Sequence, residues 1–546
     1  MILPLLLACA GGDAHKDAVV KDTAASAQAI DGHLVALDAP GLLRRMSIDL
    51  RGTLPAPTHL DVVASDPGLL ETYLDIYLAD ERFEQRLVHL LAERWHTQLD
   101  EFEVGHFDYQ LDDEREYEFE RSVGQEPLRL MARVAATDRP WTDIVTTRDT
   151  MANELLAEIW PIDRPDGDGW QISEYNDGRP AAGVLGTNGM WWRYTTNPSN
   201  MNRGRAAAMT RLLLCHDILS RPVSFAGSAA STTGVEEAIA TEPACRSCHA
   251  TVDPLASSLF GFYWLTQYNP FEHERYHPER ELLGEEALGA PAAYFGQEVM
   301  GLASLGEAVA ADPRFYRCTA QTMAGLLWRR EVGLGDFARV ESLRRTFIEE
   351  GSTLKPLIRA IVQTPEYQVG ALAPDAPSHL LDTVKTRRLL VADQLASILE
   401  ASTGFRWEWQ GHLQLDNDAL GYRVLGGGVD GDMVSQPQRE PGLTWALVVK
   451  RAAQAAAAQV VAQDLGEAGG ARVLLEHVDR SSLPADPEFE LELKQLHWRL
   501  LAKEADAAWL SAASDLWSEA YALSGVDSAW EVVVSSLLRD PDFVTY

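Results

Sequence analysis

Two cysteines and a histidine in the stretch EPACRSCHAT, residues 242–251, have the types and spacing to do chemistry. Cys245 and Cys248 are three residues apart, near the pitch of one helical turn, so on a helix both thiols lie on one side. Such a pair can meet the two vinyl groups of one haem. His249 is then carried beneath the porphyrin, where its imidazole can ligate the iron. On this reading the cofactor is one covalent haem c, held by Cys245 and Cys248 with His249 as the metal ligand. Thr241 and Pro243 suit the break before the helix that carries the motif. Three other chemistries use the same thiols. A structural zinc site needs four ligands, and Cys215-His216, in a helical run, is the nearby supply. A thioredoxin-like redox pair wants a strand–helix context that the preceding residues do not offer. A Cys245–Cys248 disulfide suits an oxidising compartment.

The other axial position is less determined. Met300, in YFGQEVMGLASLG, is placed far enough downstream to supply a sulfur ligand, and Met with His raises the potential. Met190, His273, His277 and an open or water-bound site compete with it, and a Met at a helix start is also ordinary core. Trp191, Trp192, Tyr194, Phe260, Phe262, Tyr263 and Trp264 either wall a haem or build core. A closed site implies electron transfer, whereas an open one admits peroxide or another small ligand. No Gly-x-Ser-x-Gly, His-Glu-x-x-His or phosphate-binding loop is present, so no catalytic residue is assigned. Asp163, Asp166, Asp168 and Asp177 offer oxygen donors for calcium. Their spacing is not that of an EF-hand, and a solvated turn explains them as well.

The chain has five cysteines. The N-terminal MILPLLLACAGG ends its apolar run at Cys9, too short to cross a bilayer. Leu6-Leu7-Ala8-Cys9 stands where a bacterial lipobox would, which makes Cys9 the lipidated residue of a protein anchored in the periplasm or at the cell surface. No Lys or Arg precedes the run and Leu7 is bulky for its place, so a buried or frayed apolar N-terminus competes. With Cys9 given to lipid and Cys245 and Cys248 to haem, Cys215 and Cys318 remain. Joined, they close a loop of about a hundred residues, worth up to roughly 4–5 kcal/mol in the chain-entropy model. The alternative is two buried free thiols.

These residues must be positioned by helices. A chain of 546 residues is too long for one core, and its amphipathic stretches repeat at helical period, as in LLETYLDIYLADERFEQRLVHLLAERW. The expected fold is mainly α, a multi-domain helical assembly with an embedded cytochrome-c-like segment. The expected units are a leader and linker (1–37), an N-terminal helical domain (38–160), the haem-binding segment (161–283), a helical domain packing on it (284–372) and a C-terminal helical domain (373–546). Residues 328–367 and 498–543 share a layout: a Trp-Arg helix, a middle helix, an apolar helix, then Pro, an acid and an aromatic. Residues 51–83 resemble a third copy, and such repeats serve folding first. A formal charge of −34, from 47 basic and 81 acidic residues, argues against nucleic acid as a partner.

The stretch GVLGTNGMWWRYTTNPSNMNRGRAAAMTRLLLCHDILSRPV, followed by ACRSCHATVDPLASSLFGF, resembles a group of exported bacterial proteins abundant in planctomycetes and myxobacteria. Those proteins chain domains of unknown function around a cytochrome-c-like Cys-x-x-Cys-His. The shared pattern is a Gly-Val-Leu start, an Arg-Gly before a helix ending Leu-Leu-Cys, the haem motif and an Asp-Pro, here Asp253-Pro254. The likeness extends over most of residues 40–370. It implies a haem on Cys245, Cys248 and His249, and it matches Cys215 and Cys318 to the group's other two cysteines. The Pro-rich stretch common after Leu-Leu-Cys is reduced here to SRPVSF. The resulting expectation is a lipid-anchored c-type cytochrome-like protein relaying electrons to a redox partner protein in the cell envelope. A helical scaffold whose thiols form a disulfide or metal site, and a haem peroxidase, are the alternatives.

Overall fold

Apolar residues spaced three and four apart fold as helices that bury one stripe. Leu354–Val362 shows the rule: Leu354, Leu357, Ile358, Ile361 and Val362 are buried and the residues between them face outward. The computed structural model describes residues 32–99, 110–197, 199–220, 242–262, 275–418, 420–466 and 472–546. Cys9 and the expected leader lie outside them. The fold is mainly helical, with 59% helix and 6% strand, so the strands tie helices together and do not form a layer of their own. Among the described residues no helix is long and apolar enough to cross a membrane.

The repeat is visible in the backbone, in a register different from that of the Trp-Arg match. The helix Pro313–Trp328 ends with Arg329 in the left-handed conformation, and Pro487–Leu501 ends the same way on Ala502. The structure therefore equates Trp328-Arg329 with Leu501-Ala502, one helical turn beyond Trp498-Arg499. Phe337–Glu349 and Leu354–Val362 follow in the first copy, Ala507–Ser524 and Val526–Leu537 in the second. Each copy then closes on a capped turn: Thr364 Oγ1 accepts from Tyr367 N, and the Asp540 carboxylate accepts from Asp542 N. The aromatics that follow the prolines, Tyr367 and Phe543, are both fully buried. In residues 51–83 the same finish is made by Asp80, capping Arg82 N ahead of buried Phe83.

The duplication extends further. After Tyr367 the strand Val369–Leu372 pairs antiparallel with Leu34–Ala36, just before the helix Ala39–Arg51 and its left-handed Gly52. After Phe543 the chain pairs antiparallel with residues 388–390, just before Ala392–Thr403 and its left-handed Gly404. Each half thus begins with a strand and a helix and returns to that strand at its end.

Neighbouring arginines on the first helix lock both returns. Arg45 Nη1 donates to the carbonyls of Tyr367 and Val369, each at 2.7 Å. Arg44 donates to the corresponding carbonyls of the second copy, Phe543 at 2.8 Å and Thr545 at 3.1 Å. Beside them, Arg388 Nη1 donates to Asp49 at 2.6 Å with both side chains fully buried, and the Tyr546 hydroxyl donates to the other Asp49 oxygen at 2.6 Å. Burial, together with the nearby Arg388 charge, pushes the Arg45 guanidinium down to about 9.

One apolar cluster runs from Leu42 to Tyr367 and a second from Leu389 to Tyr546; Ile48 belongs to the second and Ala502 to the first. Residues of the expected units 38–160, 161–283 and 284–372 share the first cluster. A smaller third cluster gathers Phe119, Trp160 and Trp192 around the sheet of Asp149–Ala152, Gln171–Tyr175 and Ile162–Asp163. Removing one partner of a buried ion pair strands the other, so Asp49→Ala should cost about 3–5 kcal/mol in chemical denaturation. An equally conservative change at exposed Glu81, by contrast, should leave the midpoint in place.

Candidate functional site

The motif sits on the helix Pro243–Ser257, opened by Pro243 at its first turn. Cys245 and Cys248 are half-buried and form no disulfide, and Cys248 packs against the large core. His249 follows, with its side chain 24% exposed. Its Nδ1 lies 2.9 and 3.1 Å from the two oxygens of Asp253, one helical turn further on. Asp253 is buried and also accepts from Arg203, at 2.6 Å from Nε and 3.3 Å from Nη2. With Nδ1–H donating to the carboxylate, Nε2 presents its lone pair on the opposite edge of the ring, the form that binds a metal.

Spacing alone gives Asp253 and Arg203 no role. Both residues belong to the pattern behind the resemblance, the Arg-Gly that opens the helix Arg203–Leu214 and the Asp-Pro after the motif, and the fold brings these separated pieces onto one histidine. Two close approaches hold the motif helix. A Cβ on Gly284 would stand 2.5 Å from the Ser257 carbonyl oxygen, and one on Gly261 would strike the Tyr276 ring. The helix Leu283–Leu288 can therefore lie directly on the end of the motif helix, and the Tyr276 ring on the turn that follows it.

Cys215 and Cys318 are joined as a disulfide, with Cα atoms 5.2 Å apart across a sequence separation of 103. Cys215 caps Arg203–Leu214 in the left-handed conformation, and Cys318 lies inside Pro313–Trp328. The bridge ties the helix that supplies Arg203 to the repeat unit, and it removes Cys215 as a zinc ligand. Cys245 and Cys248 are not bonded to each other, so the disulfide alternative is not the arrangement found.

The remaining candidates are dispersed. Met300 precedes the helix Gly301–Ala311 with its side chain 79% exposed. Met190 is wholly buried in the core. His277 Nδ1 meets Glu279 at 3.0 Å. His273, Tyr263 and Trp264 lie outside the described residues. Trp191, Phe262 and Tyr276 pack on one another, with centroids 5.7 and 5.1 Å apart, so these rings form core. In the acidic loop, Asp163 accepts from Asn176, while Asp166 and Asp168 are exposed. Among the described residues no group of three or more His, Cys, Asp or Glu side chains is arranged to hold a metal ion.

Residues 295–367 match the family described as "Protein of unknown function (DUF1585)". The matched stretch contains Cys318 and ends at Tyr367, the residue whose carbonyl Arg45 holds. No curated protein and no solved structure matches the chain.

Asp177 anchors the segment beyond the motif helix. It accepts from Tyr276 N at 2.8 Å and from Arg179 Nη2 at 2.6 Å. Burial opposes its charge, but hydrogen bonds from Arg179 and the guanidinium charge outweigh that and hold the carboxyl below its ordinary value. A lowered folded-state value stabilises above the unfolded value, about 4, and is lost as pH falls through the folded one. Asp177→Asn should therefore lower the thermal midpoint at pH 7, and the gap from the parent protein should narrow steadily below about pH 4.

Proposed function

We propose that the chain is an exported c-type cytochrome-like protein that relays electrons in the cell envelope. Cys245 and Cys248 would hold one haem c through thioether bonds, and His249 would supply the axial imidazole. The observation that carries this reading is the His249–Asp253–Arg203 chain beside two thiols on one helix that are not joined as a disulfide. A histidine whose Nδ1 is fixed by a buried carboxylate is oriented to give Nε2 to a metal. A haem held there would supply one-electron chemistry.

The protein's own residues have distinct tasks. Asp253 fixes the ring and the tautomer. Arg203 balances the carboxylate so that a lone buried charge is avoided. The Cys215–Cys318 bridge keeps Arg203–Leu214 in place. Met300 is the candidate for the other axial position, and its exposed side chain leaves it free to reach a ligand. A lipid on Cys9 would anchor the chain at the membrane, beside a redox partner protein.

Expression with a c-type maturation system should give a red protein whose pyridine-haemochrome spectrum shows one haem with both vinyls saturated. Cys245→Ala with Cys248→Ala should abolish covalent haem, and a colourless parent protein would leave the helical-scaffold reading in its place. Asp253→Asn should keep the haem but raise its midpoint potential, because a neutral amide on Nδ1 stabilises the extra positive charge of the ferric state less than a carboxylate does. Carbon monoxide binding to the reduced protein separates the closed, electron-transfer site from an open, peroxidase-like one; slow or absent binding is expected.

A further inference from the structure

Away from the motif, a cleft of about 450 Å³ opens where the last turns of Glu81–Trp95, Arg203–Leu214 and Pro313–Trp328 meet residues 436–439. Five arginines line it: Arg94, Arg211, Arg329, Arg330 and Arg439. Two of them are matched. Arg329 faces both oxygens of Glu93 at 2.8 Å, and Arg330 faces both oxygens of Asp336 at 2.7 Å. The other three have no carboxylate within ion-pair distance among the described residues. Arg94 spends Nη2 on the Arg211 carbonyl at 2.6 Å, while its buried Nε has no partner. Arg211 lies over the Tyr194 ring, 5.6 Å from its centre. Arg439 donates to Gln436, at 3.2 Å. Three acids also line the cleft, fewer than its five arginines: Glu93 is committed to Arg329, the Asp217 carboxylate accepts from Leu219 N, and Glu331 favours the Arg439 charge from beyond ion-pair distance.

Gathering unpaired guanidiniums costs free energy, more so where they are withdrawn from water. Burial and the neighbouring Arg211 hold Arg94 below the usual guanidinium range, and burial and Arg329 do the same to Arg439. On a chain with a net charge of −34 this local excess is not a by-product of a basic surface. The spare N–H donors have the planar fork that carboxylates and phosphates match. The volume falls within the range of small-molecule pockets, about 300–1,000 Å³, and exceeds the needs of a single ion.

We propose that this cleft is a binding site for a small multivalent anion bearing carboxylate or phosphate groups, held by Arg94, Arg211 and Arg439. The site is independent of the haem assignment, since none of these residues belongs to the motif or its supporting pair. The test is calorimetric titration of the full chain at low salt with citrate, with inorganic pyrophosphate and with uncharged glycerol. Arg439→Gln and Arg211→Gln run alongside, with circular dichroism confirming that each is folded. Because Arg439 lies on a loop, its substitution leaves the helical frame alone. The expected result is saturable 1:1 binding of at least one anion, weakened about tenfold or more in each variant, with no glycerol binding. Citrate alone would assign a carboxylate ligand and pyrophosphate alone a phosphate ligand. Absence of saturation with both anions at millimolar concentration, or variants that bind as the parent does, overturns the proposal.

Discussion

Arg44 and Arg45 hold the two halves of this protein together. Adjacent on one helix, they grip the same two carbonyl positions in each half, at Tyr367 and Val369 and at Phe543 and Thr545. Strand ends leave carbonyls without partners, and inside a core such groups are costly unless a donor reaches them. Two guanidiniums meet that need at two places at once. Asp49, between Arg388 and Tyr546, supplies the negative charge that the cluster needs. The first helix is consequently shared property: its Ile48 belongs to the second core while its leucines build the first.

The supports of the motif follow from the same economy. Buried polar groups are placed in chains that end on a charge of the opposite sign: His249 to Asp253 to Arg203 in the first half, Tyr546 to Asp49 to Arg388 between the halves. The disulfide adds a covalent tie between Arg203–Leu214 and the repeat unit. That tie also borders the arginine cleft, so one bridge stabilises the surroundings of both candidate sites.

Much of this was legible in the sequence, for identifiable reasons. Helical period exposed the helices, since a stripe such as Leu354, Leu357, Ile358 and Ile361 has no other use. Cysteine arithmetic led to the Cys215–Cys318 pair once the other thiols were given roles. The repeat was legible too, but Trp-Arg misaligned it by a turn, because a conspicuous indole outweighed the unremarkable left-handed residue that ends each helix. What stayed hidden was long-range polar pairing. Asp253 at one turn from His249 follows from helix geometry, yet nothing in spacing announces Arg203, 50 residues away. The arginine cleft was equally silent, being assembled from four distant segments.

The strand returns carry a consequence for how such a molecule can change over generations. Each half is closed by its own first strand, and the motif helix lies on an excursion between those closing points, outside the contacts of Arg44 and Arg45. Residues on that excursion can be lengthened, shortened or exchanged while the frame keeps its hydrogen bonds.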